Sequence, residues 1–143
     1  MAVIFAGTGS NEKGVLKKLM KEAFREFHDE PSAALLTCER SSDESPFANL
    51  VRSKTKRSVH MSESEQNKKI NGSYLKFITG EDNITVRTLN AREFQTYVPM
   101  FTPTLLCNGI SKIEGGSDDM RGIWRRLKII NFPVQTSATG PYY

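Results

Sequence analysis

Ala2-Val-Ile-Phe-Ala6 runs without interruption into Gly7-Thr-Gly-Ser-Asn-Glu-Lys13-Gly14 and then into Val15-Leu-Lys-Lys-Leu-Met-Lys-Glu-Ala-Phe24. The first segment is short, apolar, and contains β-branched and aromatic members, which predicts a buried strand entering a turn at Gly7. From Val15 the apolar residues fall at Val15, Leu16, Leu19, Met20, Ala23, Phe24 and Phe27, with Lys17, Lys18, Lys21 and Arg25 on the other side. That 3.6-residue period predicts an amphipathic helix.

Strand, glycine-rich turn, lysine and helix form the context of a phosphate-binding loop, because backbone N–H groups and the helix N-terminus both point at the anion. Gly7, Thr8, Gly9, Ser10, Asn11, Glu12, Lys13 and Gly14 are therefore candidate nucleotide-binding residues. The full motif has Gly before the lysine and Ser or Thr after it, where this chain has Glu12 and Gly14. Loss of the hydroxyl removes a direct Mg2+ ligand, and Glu12 places a side chain where backbone should wrap phosphate. Taken alone, the segment reads equally well as a glycine turn before a helix.

Downstream, His28-Asp-Glu-Pro31 breaks the helix and Ala33 to Thr37 reads as a second short strand. Ser45-Pro46 opens a helix over Phe47 to Val51. Arg57 to Met61 forms a strand that ends on Ser62-Glu63, and Ile70 to Ile78 presents a helical face that Gly80 closes as a C-cap. Ile84 and Val86, then Phe94 and Val98, alternate on either side of Asn90-Ala-Arg92 and predict a β-hairpin. Thr104 to Asn108 is a buried-type strand, Gly115 to Asp119 a loop, Trp124 to Phe132 a strand, and 133–143 a frayed tail. Phe94, Tyr97 and Trp124 are expected in the core rather than as base-stacking platforms.

The 143 residues bound this to about one domain, here 1–132, with a core of ordinary size. Hydrophobic residues at 38% and charged residues at 25% exclude wholesale disorder and a collagen-like fibre. A net charge of +4 leans mildly toward a polyanionic partner. No apolar run reaches the roughly 18 residues of a membrane span, and the N-terminus lacks a signal-peptide pattern, so an intracellular, cytoplasmic chain is expected. In that setting Cys38 and Cys107 are reduced thiols, and the sequons at Asn71 and Asn83 carry no sugar.

Beyond the loop, chemistry would sit at Glu63, a strand-end acid suited to Mg2+ or to the attacking water, and at Asn108, a strand-end amide able to position water. Arg125 and Arg126 carry permanent charge with forked donors. Singly, these residues read first as solvated surface, an Asn-Gly turn and a basic strand start. Their order is the distinguishing feature.

Loop at 7–14, acid at 63, hairpin at 83–98, Asn108 and Arg125-Arg126 together resemble the ATPase core of superfamily 3 helicases, above all the primase-helicases of phages, plasmids and large DNA viruses. The resemblance covers Phe5 to Phe132 and is most specific in Leu75-Lys-Phe-Ile-Thr-Gly-Glu-Asp-Asn-Ile-Thr-Val-Arg87, Leu105-Leu-Cys-Asn108 and Trp124-Arg-Arg-Leu-Lys-Ile-Ile-Asn-Phe132. It implies an α/β fold, a three-layer P-loop NTPase of AAA+ type with an inserted β-hairpin, assembled as a ring, commonly a hexamer, on single-stranded DNA. It makes ATP and Mg2+ the cofactors, Lys13 the phosphate lysine, Ser62-Glu63 the Walker B end, Asn108 the sensor, and Arg125 or Arg126 the inter-subunit finger. The hairpin tip, with Asn90 and Arg92, would meet the DNA, as would Lys76 and Arg87. Besides Glu12 and Gly14, the chain departs from the family in having Ser111 where Pro usually follows the Asn, and one carboxylate at the Walker B end. The upstream primase and collar of longer relatives are not in this sequence.

Three functions follow as expectations: an ATP-driven DNA helicase core, a catalytically decayed ATPase fold that binds nucleic acid or a ring partner, and, weakest, a small kinase-like enzyme for which no substrate lid is visible.

Overall fold

A computed structural model describes residues 1–37, 46–62, 69–86, 94–110, 112–114 and 120–135. Its centre is a five-stranded sheet in the order β2-β3-β7-β1-β9, formed by β1 (Ala2–Ala6), β2 (His28–Asp29), β3 (Ser58–Ser62), β7 (Thr102–Cys107) and β9 (Leu127–Asn131). Every pairing in it is parallel, with Ile4 beside Leu105 and Ile129, and Met61 beside Leu105. Parallel pairing brings the C-terminal ends of all five strands to one edge of the sheet, whatever their separation in sequence.

Alternation along the strands divides the sheet into two faces. Ala2, Ile4, Ala6, Val59, Met61, Leu105 and Cys107 belong to the main apolar cluster. Against them pack Leu50 of α2 (Pro46–Arg52), Leu75 and Ile78 of α3 (Gly72–Ile78) and Ile123 of α4 (Met120–Trp124). Each fully buried side chain of this size contributes about 1.5–3 kcal/mol. Short β4 (Ile70–Asn71) and β8 (Ile113–Glu114) pair in parallel beside α3, and Asn71 caps that helix by accepting from the Tyr74 N–H at 3.0 Å. The hairpin is β5 (Ile84–Val86) against β6 (Gln95–Tyr97), antiparallel, with Thr85 and Thr96 hydrogen bonded across it at 2.9 Å.

The other face carries Phe5, His60, Ser62, Thr104 and Leu106, and α1 (Lys13–Phe24) lies against its β2–β3 side. The periodic helix forms as expected, yet Lys13 is its only buried residue, while Val15 and Leu19 are 58% and 65% exposed. The stripe predicted from the period therefore looks outward, because periodicity fixes that an apolar face exists and not what covers it.

Four expectations are corrected. The second strand is His28–Asp29 and not Ala33 to Thr37, where Ala33–Leu35 coils into a 3-10 turn and Thr37 makes a single bridge to Ile70. Trp124 ends a helix, so the last strand starts only at Leu127. Thr79, not Gly80, caps α3, its N–H bonding the Leu75 carbonyl. Tyr97 is buried as expected, but Phe94 and Trp124 are 67% and 47% exposed. Cys107 is a buried thiol whose Sγ reaches the Phe5 carbonyl at 3.8 Å. Cys38, the 115–119 loop and residues 136–143 of the tail lie outside the described residues.

Candidate functional site

The loop after β1 is held open by backbone conformations that side chains disfavour. Ser10 and Glu12 sit at φ 60° and 63°, in the left-handed region, at a typical cost of about 1–2 kcal/mol each. Gly7 is required by close approach: a Cβ there would fall 2.5 Å from both the Phe132 carbonyl oxygen and Asn11 Nδ2. Asn11 donates to that same carbonyl at 3.2 Å, and Gln135 donates to Thr8 Oγ1 at 3.1 Å, so the chain leaving β9 ties the loop down.

Glu12 is the residue that precedes α1, and its side chain makes no capping hydrogen bond to the helix. The N–H groups of the first helical turn have no intrahelical acceptor, and the helix dipole adds positive potential there. Lys13 is 7% exposed, with Nζ donating to the carbonyls of Gly7 and, at 3.5 Å, Thr8. Its ammonium thus caps carbonyls of its own loop. Gly14 and Gly9 have open space where a Cβ would be added, so a hydroxyl-bearing residue at 14 meets no clash.

Asn108 follows β7 directly and is exposed beside this loop, since Gly7 N–H bonds the Cys107 carbonyl at 3.3 Å. A cleft of about 310 Å3 lies between them, lined by Ala6, Gly7, Thr8, Asn108, Gly109, Ile110, Asn131, Phe132 and Pro133. The structure therefore brings Lys13 and Asn108, 95 residues apart in sequence, to adjacent strand ends. One strand further, β3 ends at Ser62, and Glu63 lies outside the described residues.

Arg125 and Arg126 stand at the opposite edge of the sheet, before β9, where the Arg126 carbonyl accepts from Ala2 N–H at 2.6 Å. Five residues of strand put them about 16 Å from the loop, too far to serve it within one chain. Arg126 donates to the Lys76 carbonyl at 3.0 Å, whereas Arg125 is exposed. Lys76 is therefore on α3 near Arg126, and Arg87, Asn90 and Arg92 lie outside the described residues.

Sequence reading missed a polar network along β3. Lys17 Nζ lies 2.6 Å from Glu30 Oε2 and donates to Ser62 Oγ at 3.3 Å. Glu30 also pairs with Lys21 and with His28 Nε2, both at 3.3 Å, and His28 Nδ1 meets Ser58 Oγ at 3.2 Å. Ser58 Oγ in turn lies 3.3 Å from His60 Nε2. The Lys17 hydrogen bond, ahead of the other causes, holds the Glu30 carboxyl down at about 2, and burial pushes His60 down to about 4. Glu30, His28 and Ser58 have the connectivity of an acid–histidine–serine triad. Ser58 is 3% exposed, however, which denies a substrate access to its hydroxyl.

With this geometry in view, sequence comparison finds a candidate helicase of Acanthamoeba polyphaga mimivirus, 36% identical over 129 residues. The chain is related to a viral protein named for helicase activity. The match covers 90% of this chain and 13% of that protein's length. No family model matches. Two apo structures of the NrS-1 C-terminal region share the fold, with TM-scores of 0.68 and 0.64 at 18% and 19% identity. They cover this whole chain, which spans 31% and 30% of theirs. Among the described residues no helix is long and apolar enough to cross a membrane.

Proposed function

We propose that the chain is a superfamily 3 ATPase core of AAA+ type that hydrolyses ATP with Mg2+ and drives single-stranded DNA through a ring, commonly a hexamer. The observation that carries this reading is the convergence of the Lys13 loop and Asn108 on neighbouring strand ends, with the end of β3 one strand beyond. Phosphate fits the donors present: first-turn N–H groups of α1 and an ammonium bonded to carbonyls of its own loop. Mg2+ fits less directly, because Gly14 has no hydroxyl and Ser62 is engaged by Lys17, so the protein ligand falls to Glu63.

In the proposed reaction Lys13 leaves the Gly7 and Thr8 carbonyls for the β- and γ-phosphates. Glu63 orients the attacking water, Asn108 holds it in line, and ATP with Mg2+ supplies the reacting anhydride with its charge neutralised. A neighbouring subunit's guanidinium stabilises transition-state charge, and exposed Arg125 suits that role better than Arg126, which is bonded to α3. Asn90, Arg92, Lys76 and Arg87 would contact DNA phosphates, so affinity for single-stranded DNA is expected to fall as salt rises. DNA-stimulated ATP turnover should rise more than linearly with protein concentration and vanish in Lys13→Ala. Turnover surviving that substitution overturns the assignment.

A second reading, a decayed ATPase fold that serves as a nucleic-acid or ring-partner module, is favoured by the strained Glu12 and by Lys13 bonded to its own loop. Restoring Glu12→Gly with Gly14→Ser separates the two. A decayed loop gains nucleotide affinity; an adapted one does not.

A further inference from the structure

We propose that Lys17 is a positioning residue that sets the C-terminal end of β3 against the helix of the phosphate-binding loop. The inference rests on the reading above only in that the end of β3 borders the reaction site. Lys17 lies one helical turn after Lys13, so both lysines project from the same side of α1 toward the sheet. Lys13 reaches the loop, while Lys17 reaches Ser62, the last residue of β3.

Three features separate this contact from an ordinary surface pair. The Lys17 side chain is 22% exposed, and its ammonium is fixed from two directions, by Glu30 at 2.6 Å and Ser62 at 3.3 Å. Glu30 is itself fixed by Lys21 and by buried His28, so the carboxylate that holds Lys17 is anchored independently of it. The chain of bonds also returns to the start of the same strand, because His28 binds Ser58. β3 is thus clasped at both ends; Lys21 also joins α1 to Glu30, but it is Lys17 that bonds the end of β3 directly. A misplacement of about 1 Å in a reacting group costs on the order of a hundredfold in rate, so such a clasp would act on turnover and not on nucleotide affinity.

The test uses the full chain, with Lys17→Met to keep the length without the charge and Lys17→Arg to keep the charge. Amide exchange over Met61 and Ser62 should rise about tenfold or more in Lys17→Met, with β1 and β7 unchanged, and return to the wild-type rate in Lys17→Arg. The kcat for ATP should fall on the order of tenfold to a hundredfold in Lys17→Met with KM within about twofold, and Lys17→Arg should recover most of it. Unchanged exchange at the end of β3 overturns the proposal. So does exchange rising equally in β1 and β7, which marks general destabilisation, or a KM effect without a kcat effect, which marks a phosphate ligand. If the wild-type protein turns over no ATP, the ATPase reading falls alone, and the exchange measurement still decides whether Lys17 positions β3.

Discussion

At the C-terminal ends of the strands the chain opens into exposed loops: Gly7 to Glu12 with two left-handed residues, Asn108 to Ile110, and Phe132 to Gln135 around a cleft. At the N-terminal ends the connections are stitched by backbone bonds, from Ala2 N–H to Arg126, Thr102 N–H to Arg57 and Arg57 N–H to Phe27. The first edge holds a lysine on carbonyls of its own loop. The second presents the exposed guanidinium of Arg125 and carries a left-handed residue of its own, Arg25 at φ 46°. On the proposed reading, Arg125 at the far edge serves the loop of a neighbouring chain and not its own.

The sharpest way to break that comparison is Arg125→Ala. Turnover should fall about 10³-fold, the size of an arginine-finger effect, with ATP affinity within about twofold. Equal mixing with Lys13→Ala should restore part of it, because loop and arginine then come from different chains. Loss of ATP affinity in Arg125→Ala would place the arginine at its own loop and contradict the sheet geometry.

A second prediction concerns the flank of the functional edge. His60 is neutral in the fold, its pKa lowered from 6.5 to about 4, chiefly by burial. As pH falls below 6.5 the unfolded chain takes up the proton first, so stability is full above 6.5 and falls between 6.5 and about 4. The loss is about 3 kcal/mol over that window. Glu30, held at about 2 against an ordinary 4.5, loses its contribution in the same direction but only below 4.5. Denaturant melts at pH 7, 5.5 and 4 should show the loss, and His60→Gln should flatten the upper part. A pH-independent midpoint would refute the buried neutral histidine.

The smallest effect expected is from Glu12→Gly. Relief of the left-handed conformation, about 1 kcal/mol, is partly offset by the added freedom of glycine in the unfolded chain. A net gain of about 0.5 kcal/mol in thermal unfolding is expected. A loss of more than about 1 kcal/mol would mean that the Glu12 side chain holds the loop.

Those outcomes bear on how much could be read from residues alone. The elements β1, α1 and β7 were legible because their apolar runs and periods are long enough, whereas β3 offered only Val59 and Met61; that Asn108 ends a strand was legible, and the parallel β1–β7 pairing is what puts that end beside the loop. His28–Asp29 was not legible, since a strand this short exists only through its pairing with Ser58 and Val59. Ala33 to Leu36 misled because apolar content says buried and not extended. Lys17 read as part of the polar side of α1 and His28 and Glu30 as a helix break, because a network between residues distant in sequence leaves no periodic signal. The outward stripe on α1 was invisible for the reason given by Val15 and Leu19: a period names a face and leaves its partner unspecified.

The central claim is that the Gly7–Gly14 loop holds nucleotide phosphate through Lys13. Calorimetric titration of ATP into the wild-type chain and Lys13→Ala, each with and without Mg2+, tests it without requiring ring assembly or DNA. Saturable binding that strengthens with Mg2+ and is lost in Lys13→Ala is the predicted result. Equal affinity in the two proteins, or no saturable binding in either, would contradict it.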